Sequence, residues 1–124
     1  MMLRKLLPVH LLLSIALGQT TFTEHAISTS ADRARSVYAT DVDGDGDMDV
    51  LSASGDDKIA WYENDGSDSF TEHVISTSAD NAYSVNAADV DGDGDMDVLS
   101  ASGDDDKIAW YENDGSESFT EHVI

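Results

Sequence analysis

A near-identical internal repeat is the feature that most constrains this chain. Three segments recur in the same order: Phe-Thr-Glu-His-Ala/Val-Ile at 22–27, 70–75 and 119–124, Asp-Val-Asp-Gly-Asp-Gly-Asp-Met-Asp-Val-Leu at 41–51 and 89–99, and Trp-Tyr-Glu-Asn-Asp-Gly at 61–66 and 110–115. The unit is about 48 residues long, and its two copies differ at six positions besides one inserted aspartate in the run 104–106. Because a single unit of this size cannot bury its apolar face alone, the chain must fold as stacked copies of one supersecondary unit.

Each unit is predicted to contain four short strands. In the first unit they lie at 36–42, 48–54, 58–63 and 70–76, where strand-forming residues are bounded by Gly, Asp and Asn turns. Helical periodicity is missing from the sequence after residue 18. Four antiparallel strands in a unit of this length indicate an all-β fold of the β-propeller type, with one blade per unit. The alternative architecture is a stacked β-solenoid, whose repeats are usually shorter.

The first eighteen residues have the layout of a secretory signal peptide. Arg4 and Lys5 form a positive start, residues 6–17 are mostly apolar, and small residues lead to Gly18 at the expected cleavage site. The apolar run is too short to span a bilayer. An uncleaved anchor or a buried N-terminal helix is the alternative interpretation. We therefore expect a secreted, extracellular protein.

The predicted organisation has four parts. They are a signal peptide at 1–18, a partial repeat at 19–35 that supplies the outer strand of a preceding blade, and two full repeats at 36–83 and 84–124. Two blades plus one leading strand make an incomplete propeller with an open edge. We expect one of three explanations for the incomplete propeller: the sequence is a fragment of a longer propeller, the chain forms an oligomer that pools two blades per chain, or the blades form a short open array.

Composition excludes several classes of function. With 26 acidic and 6 basic side chains the net charge is −20, which disfavours nucleic acid and anionic membrane surfaces as partners. The absence of cysteine excludes disulfides, thiolate zinc sites and a cysteine nucleophile. No Gly-x-Ser-x-Gly segment or other nucleophile motif is present. We therefore expect that the protein is not an enzyme.

Aspartates are concentrated in one loop of each unit. Carboxylates at loop positions 1, 3, 5 and 9 can converge on one cation, the glycine at position 6 permits the bend, and the carbonyl of position 7 can add an oxygen. Oxygen donors without His or Cys select calcium. A standard EF-hand is excluded because position 12 holds Ser52 or Ser100. The other interpretation is a solvated acidic turn. The candidate metal ligands are Asp41, Asp43, Asp45, Asp47, Asp49, Asp89, Asp91, Asp93, Asp95 and Asp97.

These motifs resemble the FG-GAP/VCBS repeat family over residues 20–124. The resemblance implies the calcium-binding blades of integrin-α-like β-propellers and of many secreted proteins, with the aspartate loop joining the first and second strands. It places Asp41, Asp43, Asp45 and Asp49, and Asp89, Asp91, Asp93 and Asp97, at the family's ligand positions. The Phe-Gly and Gly-Ala-Pro segments that name the family are absent, which favours the VCBS-like branch.

The expected function is a secreted, non-catalytic, calcium-binding repeat module for adhesion or for binding an extracellular protein or glycan. A second copy of the chain is a further expected partner, in a homo-oligomer. The alternative is a lectin-like propeller or an accessory domain of a larger secreted enzyme. The pairs Trp61–Tyr62 and Trp110–Tyr111 could stack on sugar rings, although packing between blades is their plainer use.

Overall fold

Eight β-strands make up the regular structure of the described chain. The computed structural model describes residue 18 and residues 20–124, so the predicted signal peptide lies almost wholly outside the described residues. The strands are β1 (Ala34–Thr40), β2 (Asp49–Ser54), β3 (Ile59–Asn64), β4 (Phe70–Ser76), β5 (Ala82–Ala88), β6 (Asp97–Ser102), β7 (Lys107–Asn113) and β8 (Phe119–Val123). Over residues 18 and 20–124, no helix has the length and apolarity that a membrane crossing requires.

The strands form two separate four-stranded sheets, one for each sequence unit. Strand order is β1-β2-β3-β4 in sheet 1 and β5-β6-β7-β8 in sheet 2, and every neighbouring pair is antiparallel. Both sheets carry the same irregularity in their first strand, between Ala34 and Ser36 and between Ala82 and Ser84. The prediction of four antiparallel strands per unit is confirmed, and the antiparallel pairing does not fit a parallel β-solenoid.

The predicted outer strand at residues 20–27 is not formed. These residues carry no strand structure, whereas the same sequence in β4 and β8 is fully paired. The reason is the pairing partner: β4 forms its hydrogen bonds with the Ile-Ala-Trp-Tyr-Glu-Asn strand β3, whereas residues 20–27 pair with no strand in the described part of the chain. Strand propensity alone does not satisfy backbone N–H and C=O groups, so the segment stays irregular.

One face of sheet 1 packs against one face of sheet 2, and the hydrophobic core lies between them. Leu51, Ile59 and Trp61 come from sheet 1, and Val85, Val98 and Tyr111 come from sheet 2. β5 contacts both β1 and β2 across this junction. Ala79 in the linker and Ala82 at the start of β5 are fully buried, and their small side chains let the two sheets approach closely. The architecture is that of consecutive blades in an incomplete β-propeller, with open sheets in the described part of the chain.

The tryptophan of the first repeat serves packing. Trp61 is fully buried, it stacks on His73 with ring centroids 4.5 Å apart, and it meets Phe119 of sheet 2 edge-on at 6.5 Å. Tyr62 and Tyr111 are also buried. These contacts agree with the prediction that the aromatic pair packs between blades, because a fully buried ring cannot stack on a sugar.

Candidate metal centre

The two aspartate loops connect the first and second strands of each sheet. Residues 41–48 run from β1 to β2, and residues 89–96 run from β5 to β6. Gly44 and Gly46 have φ of 79° and 98°, and their counterparts in the second loop have 84° and 103°. Backbone in this left-handed region favours glycine, so the two glycines permit the chain to curl back on itself.

Backbone N–H groups hold the loop carboxylates in place. In the first loop Asp41 accepts from the N–H of Gly44 at 2.7 Å and from the N–H of Gly46 at 3.0 Å. Asp43 accepts from the N–H of Asp45 at 3.0 Å. The second loop repeats these bonds with distances between 2.7 and 3.1 Å. Each bond occupies one lone pair of a carboxylate oxygen, which leaves other lone pairs for a cation.

The ninth aspartate of each loop anchors the loop to the sheet. Asp49 is fully buried; its two carboxylate oxygens accept from the N–H of Val42 at 2.9 Å and from the N–H of Asn64 at 2.8 Å. Asp97 makes the same two bonds, with Val90 at 2.8 Å and Asn113 at 2.9 Å. This carboxylate therefore ties the start of the loop to the end of the third strand.

Each loop brings three of its four predicted carboxylate ligands together. In the first loop, oxygens of Asp41, Asp43 and Asp45 lie within 4.8 Å of one another. In the second loop the same spacing joins Asp89, Asp91 and Asp97. Between them, the two groups use all four predicted ligand positions. The arrangement could hold a metal ion.

The seventh aspartate of each loop points elsewhere. A Cβ placed on Gly66 would lie 2.5 Å from the Asp47 Oδ2 atom. A Cβ placed on Gly115 would lie at the same distance from the Asp95 Oδ2 atom. These carboxylates therefore lie against the turn between the third and fourth strands and are not grouped with the other three. Asp47 and Asp95 can therefore offer a cation the backbone carbonyl oxygen in place of the carboxylate.

Burial and neighbouring negative charges raise the pKa of one clustered carboxyl in each loop. Burial raises the pKa of Asp43 above 3.8, and the neighbouring negative charges of Asp49 and Asp45 raise it further. For Asp91, the N–H of Asp93 lowers the pKa, but desolvation and the charges of Asp93 and Asp97 outweigh that bond and raise it. In the described residues the ion pairs of Lys58 and Lys107 go to other acids, so no basic side chain neutralises the loops.

Two structural features near the loops were not predicted from the sequence. Asn64 and Asn113 position the ninth aspartate, and their side chains also donate to the carbonyls of Met48 and Met96. Their recurrence in Trp-Tyr-Glu-Asn-Asp-Gly was the available signal. A second acid–histidine group also forms: Glu63, His73 and Glu117 lie within 4.8 Å of one another at the sheet junction.

Comparisons with known proteins agree with the repeat structure. The chain matches the sequence model of the FG-GAP-like repeat family over residues 8–52, 41–100 and 89–124, so that each match contains at least one complete aspartate loop. Comparison with curated proteins and comparison with solved structures each gave no match. Together the three matches cover nearly the whole chain and include both sheets and both loops. The chain belongs to the FG-GAP-like repeat family.

Proposed function

We propose that this protein is a secreted, non-catalytic module in which each aspartate loop binds one structural Ca²⁺ ion. Repeats of this family are generally non-catalytic structural modules, bind calcium in general, and occur in extracellular proteins. The calcium-stabilised sheets would then present a surface to an extracellular protein or glycan, as an adhesion or ligand-binding module.

One observation carries this proposal. Both loops gather three carboxylate oxygens within 4.8 Å, and no lysine or arginine in the described part of the chain forms an ion pair with them. At this separation, each pair of negative charges repels by about 1 kcal/mol even at the dielectric constant of water. A divalent cation removes this repulsion and converts it into attraction.

The donor set favours calcium among the common cations. Carboxylate oxygens and a nearby backbone carbonyl are hard ligands, and the loops contain no histidine or cysteine. Asp41, Asp43, Asp45 and Asp49 would hold the ion in the first loop, with the carbonyl of Asp47 as a further donor. Magnesium demands a smaller, near-octahedral ligand set and gives up its water reluctantly, so we expect it to substitute poorly.

Bound calcium would stabilise the fold by mass action. Extracellular calcium modules bind with Kd of about 10⁻⁴–10⁻³ M. At about 2 mM calcium this gives roughly 0.6–2 kcal/mol per site, if the unfolded chain does not bind. For a domain of this size, two sites then correspond to an increase in Tm of roughly 5–15 °C.

A protein partner is favoured over a sugar. The lectin alternative depends on exposed aromatic rings; of the two aromatic pairs, Trp61, Tyr62 and Tyr111 are buried, and Trp110 is only partly exposed. Aromatic rings that pack between sheets are not available to stack on a sugar face.

Thermal melts followed by circular dichroism test the calcium proposal. We expect the full chain to melt at least about 5 °C lower in excess chelator than in 2 mM calcium, with magnesium restoring little of the difference. Asp43→Ala and Asp91→Ala should each lose about half of the calcium-dependent increase. The matched control is Asp56→Ala, because Asp56 is an exposed turn residue that also carries one negative charge. Identical melts in chelator and calcium would contradict the proposal.

A further inference from the structure

The two outward faces of the described structure are complementary to each other. One face, the front flank, is formed by sheet 1 together with residues 25–31 of the irregular segment before β1, and it contains an apolar groove of about 200 Å³. The opposite face, the back flank, belongs to sheet 2 and carries Leu99, Ala101, Ile108 and Trp110. The residues that line the groove are His25, Ile27, Ser28, Ala31, Ala34, Val37, Val50, Ser52 and Tyr62.

The junction between sheet 1 and sheet 2 shows what the front flank is shaped to accept. Each of the nine groove residues has an identical residue at the corresponding position of the second repeat: His73, Ile75, Ser76, Ala79, Ala82, Val85, Val98, Ser100 and Tyr111. Ala82, Val85, Val98, Ser100 and Tyr111 lie on the side of sheet 2 that sheet 1 covers, whereas His73, Ile75 and Ser76 belong to β4 of sheet 1 and Ala79 to the linker. Most of the nine belong to the core or pack against it. The front flank therefore repeats an interface that already exists inside the chain.

The back flank repeats the other half of that interface. The residues of sheet 1 that fill the internal junction are Leu51, Ala53, Ile59 and Trp61, all fully buried. The back flank carries the same four residue types at the same positions of sheet 2. The structure thus exposes one unpaired copy of each half.

Differences in exposure between equivalent residues locate the missing contact. Val37 on the front flank is 70% exposed, and its counterpart Val85 is 4% exposed. Ile108 on the back flank is 56% exposed, whereas Ile59 is 0% exposed. Equivalent positions of the two repeats hold the same residue in the corresponding strand. The difference in burial therefore arises from the presence or absence of a neighbouring sheet.

The edges of the two flanks also carry opposite charge. Inside the chain, the N–H of Asn81 donates to the Asp57 carboxylate at 2.8 Å across the junction. At the front flank the position of Asn81 is occupied by Arg33, and at the back flank Asp57 is replaced by the run 104–106 with its extra aspartate. Arg33 forms no ion pair within the described residues. A basic group thus faces outward on one flank and an added acid on the other.

We propose that the back flank of one copy of this chain docks on the front flank of a second copy, so that the chains associate head to tail. The contact is heterologous, and it continues the blade order of the single chain from one molecule to the next. Such contacts close into rings when the rotation per copy permits it, and otherwise give open arrays. The proposal depends on the packing of the sheets and stands independently of the calcium proposal.

Matched charge variants test this interface with the full chain. Val37→Asp disrupts the front flank and Ile108→Asp disrupts the back flank. Their controls are Val74→Asp and Val123→Asp, which add the same charge at two equivalent strand positions that are exposed in both repeats. Light scattering and sedimentation in calcium buffer give the masses, and circular dichroism verifies folding.

We expect the unmodified chain and both controls to form multimers, and each flank variant to associate about 30-fold more weakly or worse. The deciding sample mixes the two flank variants, because each retains the half that the other has lost. The mixture should form a one-to-one heterodimer that grows no further. An unmodified chain that stays monomeric would overturn the proposal. A mixture that forms no heterodimer would overturn it as well.

Discussion

The ninth aspartate of each loop should stabilise the fold even without calcium, unlike the other ligand positions. Asp49 is fully buried, and both of its oxygens accept from backbone N–H groups, those of Val42 and Asn64. Asp49→Ala leaves these two donors without a partner. An unsatisfied buried donor costs about 1–3 kcal/mol, so the substitution should cost roughly 2–6 kcal/mol. That is a large part of the 5–15 kcal/mol typical of a whole domain.

Asp43 provides the contrast within the same loop. Its carboxylate accepts from the N–H of Asp45, a bond exposed to solvent, where water can replace the lost acceptor. Removing its charge also relieves repulsion from the other aspartates. In chelator Asp43→Ala should therefore change the free energy of unfolding by less than about 1 kcal/mol, and its cost should emerge only in calcium.

Urea denaturation of each variant, in calcium and in chelator, separates the two roles. A fixed concentration of trimethylamine N-oxide keeps the calcium-free form folded by strengthening burial in every variant. Asp97→Ala is an internal replicate, because Asp97 makes the same two bonds in the second loop. If Asp49→Ala and Asp43→Ala lose stability equally in chelator, or if neither does, the assignment of separate roles is refuted.

Two further predictions concern the turns between the third and fourth strands. Gly66→Ala should destabilise the fold by about 2 kcal/mol or more, because φ is 73° and the new Cβ would lie 2.5 Å from Asp47. Gly44→Ala, with φ of 79° and open space around it, should cost only about 1 kcal/mol; equal losses in urea denaturation would contradict this. The Ser67 hydroxyl and the Ser67 N–H hold the pKa of Asp65 below 3.8, so ionised Asp65 stabilises the fold above its unfolded-state pKa of about 4, and this stability is lost as pH falls through the lower folded-state pKa. Ser67→Ala should thus lower stability at pH 6 and make stability less dependent on pH below about 4, and an unchanged acid transition by circular dichroism would argue against the turn as its source.

The sequence predicted the strands closely because local information decides them. The four strands expected in the first repeat differ from the observed ones by two residues or fewer at each end. Alternating apolar residues and Gly-, Asn- or Asp-containing turns occur in both copies, and they set the register without reference to distant parts of the chain. The position of the aspartate loops between the first and second strands follows from the same turns.

Three features of the fold and site required the three-dimensional structure. Residues 20–27 share the sequence of β4 except at Ala26 but pair with no strand among the described residues, so strand propensity did not predict their irregular structure. The orientation of Asp47 depends on the approach of Gly66 from a different turn. The backbone bonds of Asp49 reach Asn64, fifteen residues away, and spacing within the loop contains no information about that contact.

The aspartate loops and the flanks are connected through the residue that follows the first aspartate of each loop. Val42 is 4% exposed, because sheet 2 covers it and the Asn113 side chain donates to its carbonyl at 3.4 Å. Its counterpart Val90 is 45% exposed beside the back flank. The N–H of Val42 is held by Asp49 as well, so the junction, the buried aspartate and the loop form one continuous set of contacts.

The first loop is therefore supported from two sides and the second from one. A docked copy would cover Val90 as sheet 2 covers Val42, and it would bring Asn64 of the docked chain to the place that Asn113 occupies inside the chain. A neighbour that fixes the loop lowers the entropic cost of closing it around a cation. By linkage, a cation that fixes the loop must strengthen the contact with the neighbour by the same free energy. In a molecule of this design, assembly and calcium binding would promote each other with no movement beyond the ordering of one loop.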